Sequence, residues 1–303
     1  MSTTNDFFKI LRKYINIYIM RLDLSKIKEN QTKKEKESEY PIAIVKGNKK
    51  CIDYNKLVYL NTETAKNIKG SISVDIPYDC SFEILPNTDE NKRDVFYVAG
   101  ASGSGKSYIA TQIAKNYNKL YPDREIFIVS KLDDDSTINN SGLNIQRIDW
   151  RKLIDNFDIN IFFNCMVIFD DCDTIEGKEG KLLKNVIDDI AIMGRKHTDG
   201  QGNITLLFLT HYLTNYKSTR LILNEATHLI LYPQNSSYHQ LLYILKNYVG
   251  LDDDETKQLK KLGSRWICIH KNYPQYLISQ FKVKILNQDE EEEIKPKKKI
   301  SKK

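Results

Sequence analysis

From Val95 onward the chain alternates short unbroken apolar runs with stretches in which apolar residues return every three or four positions. The runs are Val95-Phe96-Tyr97-Val98-Ala99, Glu125-Ile126-Phe127-Ile128-Val129, Met166-Val167-Ile168-Phe169, Ile204-Thr205-Leu206-Leu207-Phe208-Leu209 and His228-Leu229-Ile230-Leu231-Tyr232. Runs of this length without polar alternation are strands covered on both faces. The intervening stretches predict helices from Lys106 towards Leu120, over Lys181 to Met193, Tyr238 to Tyr248 and Asp252 to Leu262. A strand pair, Arg265 to His270 and Gln275 to Phe281, follows. Strand and helix in alternation predict an α/β domain, a mostly parallel sheet with helices on both faces.

The first 92 residues read differently. Phe7, Leu11, Tyr14, Ile15, Tyr18 and Leu22 fall at helical spacing and predict a helix over residues 6 to 24, docked on the protein or a neighbouring subunit, or else lying on a membrane surface. Lys28 to Glu39 is a charged run. From Ile42 to Leu85 short apolar stretches alternate with turn residues, and Ser71 to Ile76 alternates as a strand does. The expected division is a helix and charged linker over 1–40, a small β-containing lead-in over 41–92, the main domain over 93–287, and a charged, disordered tail over 288–303.

Composition narrows the function classes only modestly. The net charge of +6, from 46 basic and 40 acidic residues, permits a nucleic-acid partner without demanding one. The five cysteines form no CxxC pair, so neither a zinc site nor a disulfide framework is expected; reduced, buried thiols fit an intracellular, reducing compartment. No apolar segment is long enough for an integral membrane span, and Lys9, Arg12, Lys13 and Arg21 break the N-terminal one, unlike a secretory signal.

Chemistry enters at Gly100-Ala101-Ser102-Gly103-Ser104-Gly105-Lys106-Ser107, a full G-x-x-x-x-G-K-[ST] match set between a predicted strand and a predicted helix. The glycines let backbone N–H groups converge on the β- and γ-phosphates of a nucleotide, helped by the helix N-terminus. Lys106 adds a point charge between those phosphates, Ser107 supplies a hydroxyl ligand for Mg2+, and Tyr108 closes the candidate ATP-binding segment. The fold class is therefore an α/β P-loop NTPase with a RecA/ASCE-like sheet and a small N-terminal α+β extension.

The run at Met166 ends in Asp170-Asp171. In P-loop enzymes a carboxylate here holds magnesium, which assigns Asp170 as a metal ligand, and the next acid, Asp171, as the base for the attacking water. Asp173 and Glu176 are fallback bases. The fourth run ends in Thr210-His211, which faces the γ-phosphate if that strand lies between the first and third. Arg195 and Arg220 are candidates to act on a neighbouring subunit's γ-phosphate, stabilising charge spread over its oxygens. His197, His228, His239 and His270 show no ligand spacing.

Together the loop, Asp170-Asp171, Gly194-Arg195-Lys196, Thr210-His211-Tyr212, and Arg220 with Asn224 and His228-Leu229-Ile230 resemble the DNA-packaging ATPases of large eukaryotic DNA viruses, in the FtsK–HerA group. The likeness spans about residues 93 to 235; the loop Thr198 to Asn203 departs from it in length, and residues 1 to 90 match nothing in it. The resemblance implies a homo-oligomeric ring that hydrolyses ATP and drives double-stranded DNA into a capsid. It also implies capsid or inner-membrane partners in a virion and a place in the virion or host cytoplasm. The competing readings are an ATP-binding switch or scaffold with little turnover, and a nucleotide or small-molecule kinase. Two consecutive acids suit hydrolysis better than transfer, and no arginine-rich lid segment marks a kinase.

Overall fold

The computed structural model describes residues 20–28, 39–62, 71–132, 135–195, 202–215 and 219–286. The helix expected over 6–24 lies outside these residues up to position 19; beyond it the expectation fails, because Arg21–Ser25 is a strand, β1. Leu22 is buried and its neighbours Arg21 and Asp23 are not, so period two replaces helical spacing as soon as a partner strand is available. That partner is β3 (Leu57–Asn61), which also pairs with β2 (Glu39–Gly47), and β2 in turn pairs with β5 (Cys80–Ile84). All three pairings are antiparallel, giving a four-stranded sheet in the order β1-β3-β2-β5.

A disulfide joins Cys51 to Cys80, which corrects the expectation that all five cysteines are reduced. Register explains it: Gly47 stands opposite Cys80 at the end of the β2–β5 ladder, and the following turn folds Cys51 back over that pair. A side chain at 47 would meet the Cys51 Cβ at 2.8 Å. Cys165, Cys172 and Cys268 are free and buried.

The large sheet begins, in sequence, with β4 (Ser73–Asp75) and continues through β6 (Val95–Ala99), β7 (Ile126–Ser130), β8 (Ile145–Ile148), β9 (Met166–Asp170), β10 (Thr205–Thr210) and β11 (His228–Leu231). It ends with β12 (Ile267–His270), β13 (Tyr276–Ser279) and β14 (Lys282–Ile285). The spatial order is β4-β14-β13-β12-β11-β6-β10-β9-β7-β8. From β11 to β8 every pairing is parallel; β12, β13, β14 and β4 continue antiparallel from β11. β10 thus lies between β6 and β9, as the assignment of Thr210 and His211 requires.

Seven helices accompany the sheet among the described residues: α1 (Lys106–Leu120), α2 (Ser136–Asn139), α3 (Trp150–Asp155), α4 (Gly177–Met193), α5 (Arg220–Glu225), α6 (Tyr238–Tyr248) and α7 (Asp253–Lys261). Each central strand feeds two cores. On one face Phe96, Val98, Ile168 and Leu209 pack with Ile109, Ile113 and Tyr117 of α1 and with the inner side of the four-stranded sheet, including Leu22, Val58 and Phe82. On the other face Tyr97, Val167, Phe169 and Phe208 pack with Leu183, Ile187 and Ile190 of α4 and Leu241 and Ile244 of α6. Burial on both faces is why these strands lack alternation. Polar ties fix the small sheet to α1: Asn116 Nδ2 donates to Ile84 O at 3.1 Å and Gln112 Nε2 to Glu83 Oε1 at 3.2 Å. Among the described residues no helix is long and apolar enough to cross a membrane. The predicted tail, and the turn from Lys196 to Gln201, lie outside the described residues.

Candidate nucleotide site

The glycine-rich loop leaves the C-terminal end of β6, where Gly100 N donates to Thr210 O at 3.1 Å and extends the β6–β10 ladder by one position. A Cβ on Gly100 would sit 2.5 Å from the Tyr232 ring and 2.7 Å from Ser104 Oγ, so only glycine fits. Gly103 (φ 74°) and Gly105 (φ 106°) take left-handed conformations that L side chains rarely adopt. Ala101, Ser102 and Gly103 form the exposed crest, and Ser107 is half-buried. Helix α1 then starts with no side-chain cap and no acidic residue in its first turn, which leaves its N–H groups and positive dipole end available to an anion. Tyr108 is 57% exposed on this first turn, and its hydroxyl accepts from Gln112 Nε2 at 2.9 Å.

Lys106 is buried; its Nζ donates to Gly100 O at 3.0 Å and lies 3.4 Å from Nδ1 of His211. A lysine ammonium only donates, so Nδ1 of His211 is the acceptor and Nε2 carries the ring proton. Nε2 in turn lies 2.7 Å from Asp171 Oδ1, without the alignment of a hydrogen bond, so that oxygen is buried with no hydrogen-bond partner. Lys106, His211 and Asp171 therefore form one polar chain beneath the loop, joining the first, fourth and third runs of the sequence.

Asp170 ends β9, level with Leu209 of β10 and Ser130 of β7, and is 3% exposed. Burial, followed by the charges of Asp171 and Asp135, pushes its carboxyl up to about 7, against the pull of Lys106 and Arg147. Asp135 is held close by its own task, capping α2 through Thr137 N and Ile138 N. Asp171 follows at φ 54°, a strained conformation for a residue with a side chain. Asp173, a fallback base, is committed elsewhere: its Oδ2 accepts from Thr210 Oγ1 at 2.5 Å and from His211 N at 3.2 Å, locking the end of β10. Glu176 occupies the N-cap position of α4 without a side-chain capping bond.

These groups pass a chemical test for a magnesium–triphosphate pair. The donors on offer, the Ser107 hydroxyl and the Asp170 carboxylate, are hard oxygens, and magnesium is ordinarily held by one or two such groups with substrate phosphates completing its shell. Ser104 Oγ and Asp171 Oδ1 are buried beside the loop with no hydrogen-bond partner. A carboxyl that burial holds near 7 is one that a nearby dication would ionise.

Arg195 stands apart from this cluster. Gly194 O accepts from Ile204 N at 2.8 Å, which places the end of α4 beside the start of β10, at the sheet edge opposite the loop. Arg195 is exposed there and pairs with Glu225 at 2.8 Å, so its own loop is out of its reach. Arg220 opens α5 and is exposed. Sequence reading missed two contacts. Arg265, just before β12, donates from Nε to Ser104 O at 3.0 Å and from its NH2 group to Gly103 O at 3.3 Å. Nothing in the linear pattern marks a residue 161 positions away as part of the loop. Asp173 as the lock on Thr210 was visible only as a spare acid.

Sheet order, loop and acid pair define the fold class: this chain has a P-loop NTPase fold with an additional strand between the loop strand and the acidic strand. No known family model matches it. The chain belongs to the family of the uncharacterized protein V3 of Sputnik virophage, to which it is 33% identical over 233 residues, covering 76% of this chain and 90% of that one. Solved structures that overlap it include B204, the DNA-packaging ATPase from Sulfolobus turreted icosahedral virus (14% identity, 64% of this chain and 98% of that one, TM-score 0.40). Two others are the pCW3 conjugation coupling protein TcpA with ATPγS (13% identity, 82% and 79%, TM-score 0.41) and the cytoplasmic domain of the Thermomonospora curvata type VII secretion ATPase EccC (12% identity, 87% and 30%, TM-score 0.43).

Proposed function

We propose that the protein is an ATP-hydrolysing motor that translocates double-stranded DNA, for packaging a viral genome into its capsid. The observation that carries hydrolysis is the polar chain Lys106–His211–Asp171 set directly beneath the phosphate loop. ATP binds with its β- and γ-phosphates in the loop and on the N-terminus of α1, and Lys106 exchanges Gly100 O for phosphate oxygens. Ser107 and Asp170 would hold magnesium, which when bound would supply positive charge to offset that of the triphosphate. Asp171 Oδ1 accepts the proton of the attacking water. The water oxygen forms the new bond to γ-phosphorus, and the bond to the β–γ bridging oxygen breaks, releasing ADP and phosphate. Thr210 and His211, at the end of the strand between loop and acids, register loss of the γ-phosphate, since His211 touches both Lys106 and Asp171.

Completion of the site from a neighbouring subunit fits the placement of Arg195, which cannot serve its own loop. Arg220 is the second candidate, and either implies a homo-oligomeric ring. The DNA step rests on the resemblance of the motifs to packaging ATPases and on the net charge of +6. An ATPase assay with and without duplex DNA, alongside particle mass, tests the proposal. Turnover should rise with DNA in the assembled form, and Asp171→Ala should abolish hydrolysis while retaining nucleotide. Turnover that ignores DNA at every assembly state would remove the motor reading; full function of Asp171→Ala would favour a non-hydrolysing scaffold.

A further inference from the structure

We infer that Arg265 is a positioning residue for the phosphate loop, holding it in the shape that receives a nucleoside triphosphate. This rests on the nucleotide reading above and extends it to a part of the chain, the antiparallel end of the sheet, that the loop motif does not include.

The argument starts from the peptide plane. In a trans peptide the carbonyl and the following N–H point in opposite directions. Arg265 binds two successive carbonyls of the loop, Gly103 O and Ser104 O. The N–H groups that follow are thereby turned away from the guanidinium: that of Ser104 closes a turn onto Ala101 O at 3.1 Å, and that of Gly105 is the one whose direction the arginine sets for an anion. A glycine-rich loop is the least self-ordered kind of backbone, and its amides bind anions well only when their directions are set beforehand. A planar, two-pronged donor suits two adjacent carbonyls, whereas an ammonium offers a point charge. The guanidinium packs against Gly105, where a Cβ would stand in ordinary contact with its NH2 nitrogen at 3.4 Å, so it is the left-handed turn that calls for glycine there.

Arg265 is itself anchored. Its backbone N–H donates to Gln280 Oε1 at 2.8 Å, and Gln280 N donates to Ser264 Oγ at 3.1 Å. Gln280 lies in the turn between β13 and β14, whose carbonyls also receive Phe82 N of the small sheet and Ile76 N next to β4. The loop is therefore braced from a turn that the N-terminal sheet holds in place. Arg265 is exposed, its two bonds go to neutral carbonyls, and among the described residues no carboxylate forms an ion pair with it, so its charge stands beside the loop. That charge adds to the attraction for a triphosphate.

The test is equilibrium binding of a fluorescent non-hydrolysable ATP analogue with magnesium, together with steady-state kinetics, on the full chain and on Arg265→Ala and Arg265→Lys. Arg265→Ala should weaken binding about tenfold and raise KM by the same factor with kcat within about twofold, because Arg265 touches no reacting atom. Arg265→Lys keeps the charge but not the fork and should fall between, about threefold weaker. Added methylguanidinium should recover binding in the Ala variant and leave the wild type unchanged. If Arg265→Ala does not fold, the Lys variant decides: wild-type affinity there overturns the assignment. Unchanged analogue affinity in a folded Ala variant, with only a lower melting temperature, also overturns it. Wild-type protein that binds no triphosphate would overturn the nucleotide reading and this inference with it.

Discussion

Thr210→Val removes one hydroxyl from the end of β10 while keeping the residue's volume. Thr210 is fully buried, and its hydroxyl donates to Asp173 Oδ2 and accepts from Tyr212 N at 3.1 Å. The lost bond to Asp173 is charge-assisted, a class that contributes about 1.5–3 kcal/mol. The other Asp173 oxygen, Oδ1, is already buried without a partner, so after the change the carboxylate keeps only the bond from His211 N. The bond from Tyr212 N is neutral and part-buried, a weaker class than the charge-assisted one. The expected loss is therefore roughly 2 kcal/mol rather than the sum of two buried bonds. Because Asp173 also holds the His211 backbone, a carboxylate that has lost its Thr210 anchor positions less firmly the imidazole that bridges Lys106 and Asp171. Urea denaturation should show a lower midpoint with unchanged slope, and kcat for ATP should fall about tenfold with KM little altered. A variant as stable as wild type with the same kcat would refute the lock.

Three further outcomes follow from other parts of the fold. Gly100→Ala drives a Cβ into the Tyr232 ring and Ser104 Oγ, so isothermal titration should show ATP affinity reduced at least tenfold, partly recovered in Gly100→Ala/Tyr232→Ala. Asp94, fully buried, has its carboxyl pushed up from 3.8 to about 6 by burial, opposed by the bond from Asn87 N. The folded state then binds this proton more tightly than the unfolded chain, so stability falls as pH rises from about 4 to about 6, by up to about 3 kcal/mol. Asp94→Asn should lack that decline and gain on wild type between pH 4 and 7 in denaturation titrations; parallel curves would contradict it. Cys80→Ser opens a cross-link of sequence separation 29. Chain entropy predicts a loss of about 3–4 kcal/mol, read as a lower melting temperature that reductant reproduces in the wild type but not in the variant.

The N-terminal sheet has a consequence for the site. Its strands cover the same sheet face as α1, and Asn116 and Gln112 of that helix bond to its last strand. The helix that follows the glycine-rich loop is thus held between two sheets, one of them built from the part of the chain that the motif resemblance does not reach.

The parallel core and the loop were legible in the sequence because each depends on local rules. Strands buried on both faces read as unbroken apolar runs, and Gly103 and Gly105 mark left-handed turns that other residues rarely adopt. Asp170 and Asp171 were legible for a related reason: a strand that ends in acids delivers them to the end of the sheet where the loop also lies. What remained hidden needed partners far away in the chain. Arg21–Ser25 became a strand because β3 offered it a ladder, an energy that helical spacing in one segment cannot contain. Cys51 and Cys80 met because the β2–β5 register closes there. The use of Asp173 as a lock, of Arg195 in an ion pair with Glu225, and of Arg265 on the loop's carbonyls all depend on contacts across tens to more than a hundred positions. Sequence by itself determined which candidate groups this protein offers to a triphosphate. Tertiary structure decided which of them stand together, because hydrogen bonds and ion pairs act over ångströms of space and carry no trace of the chain length between them.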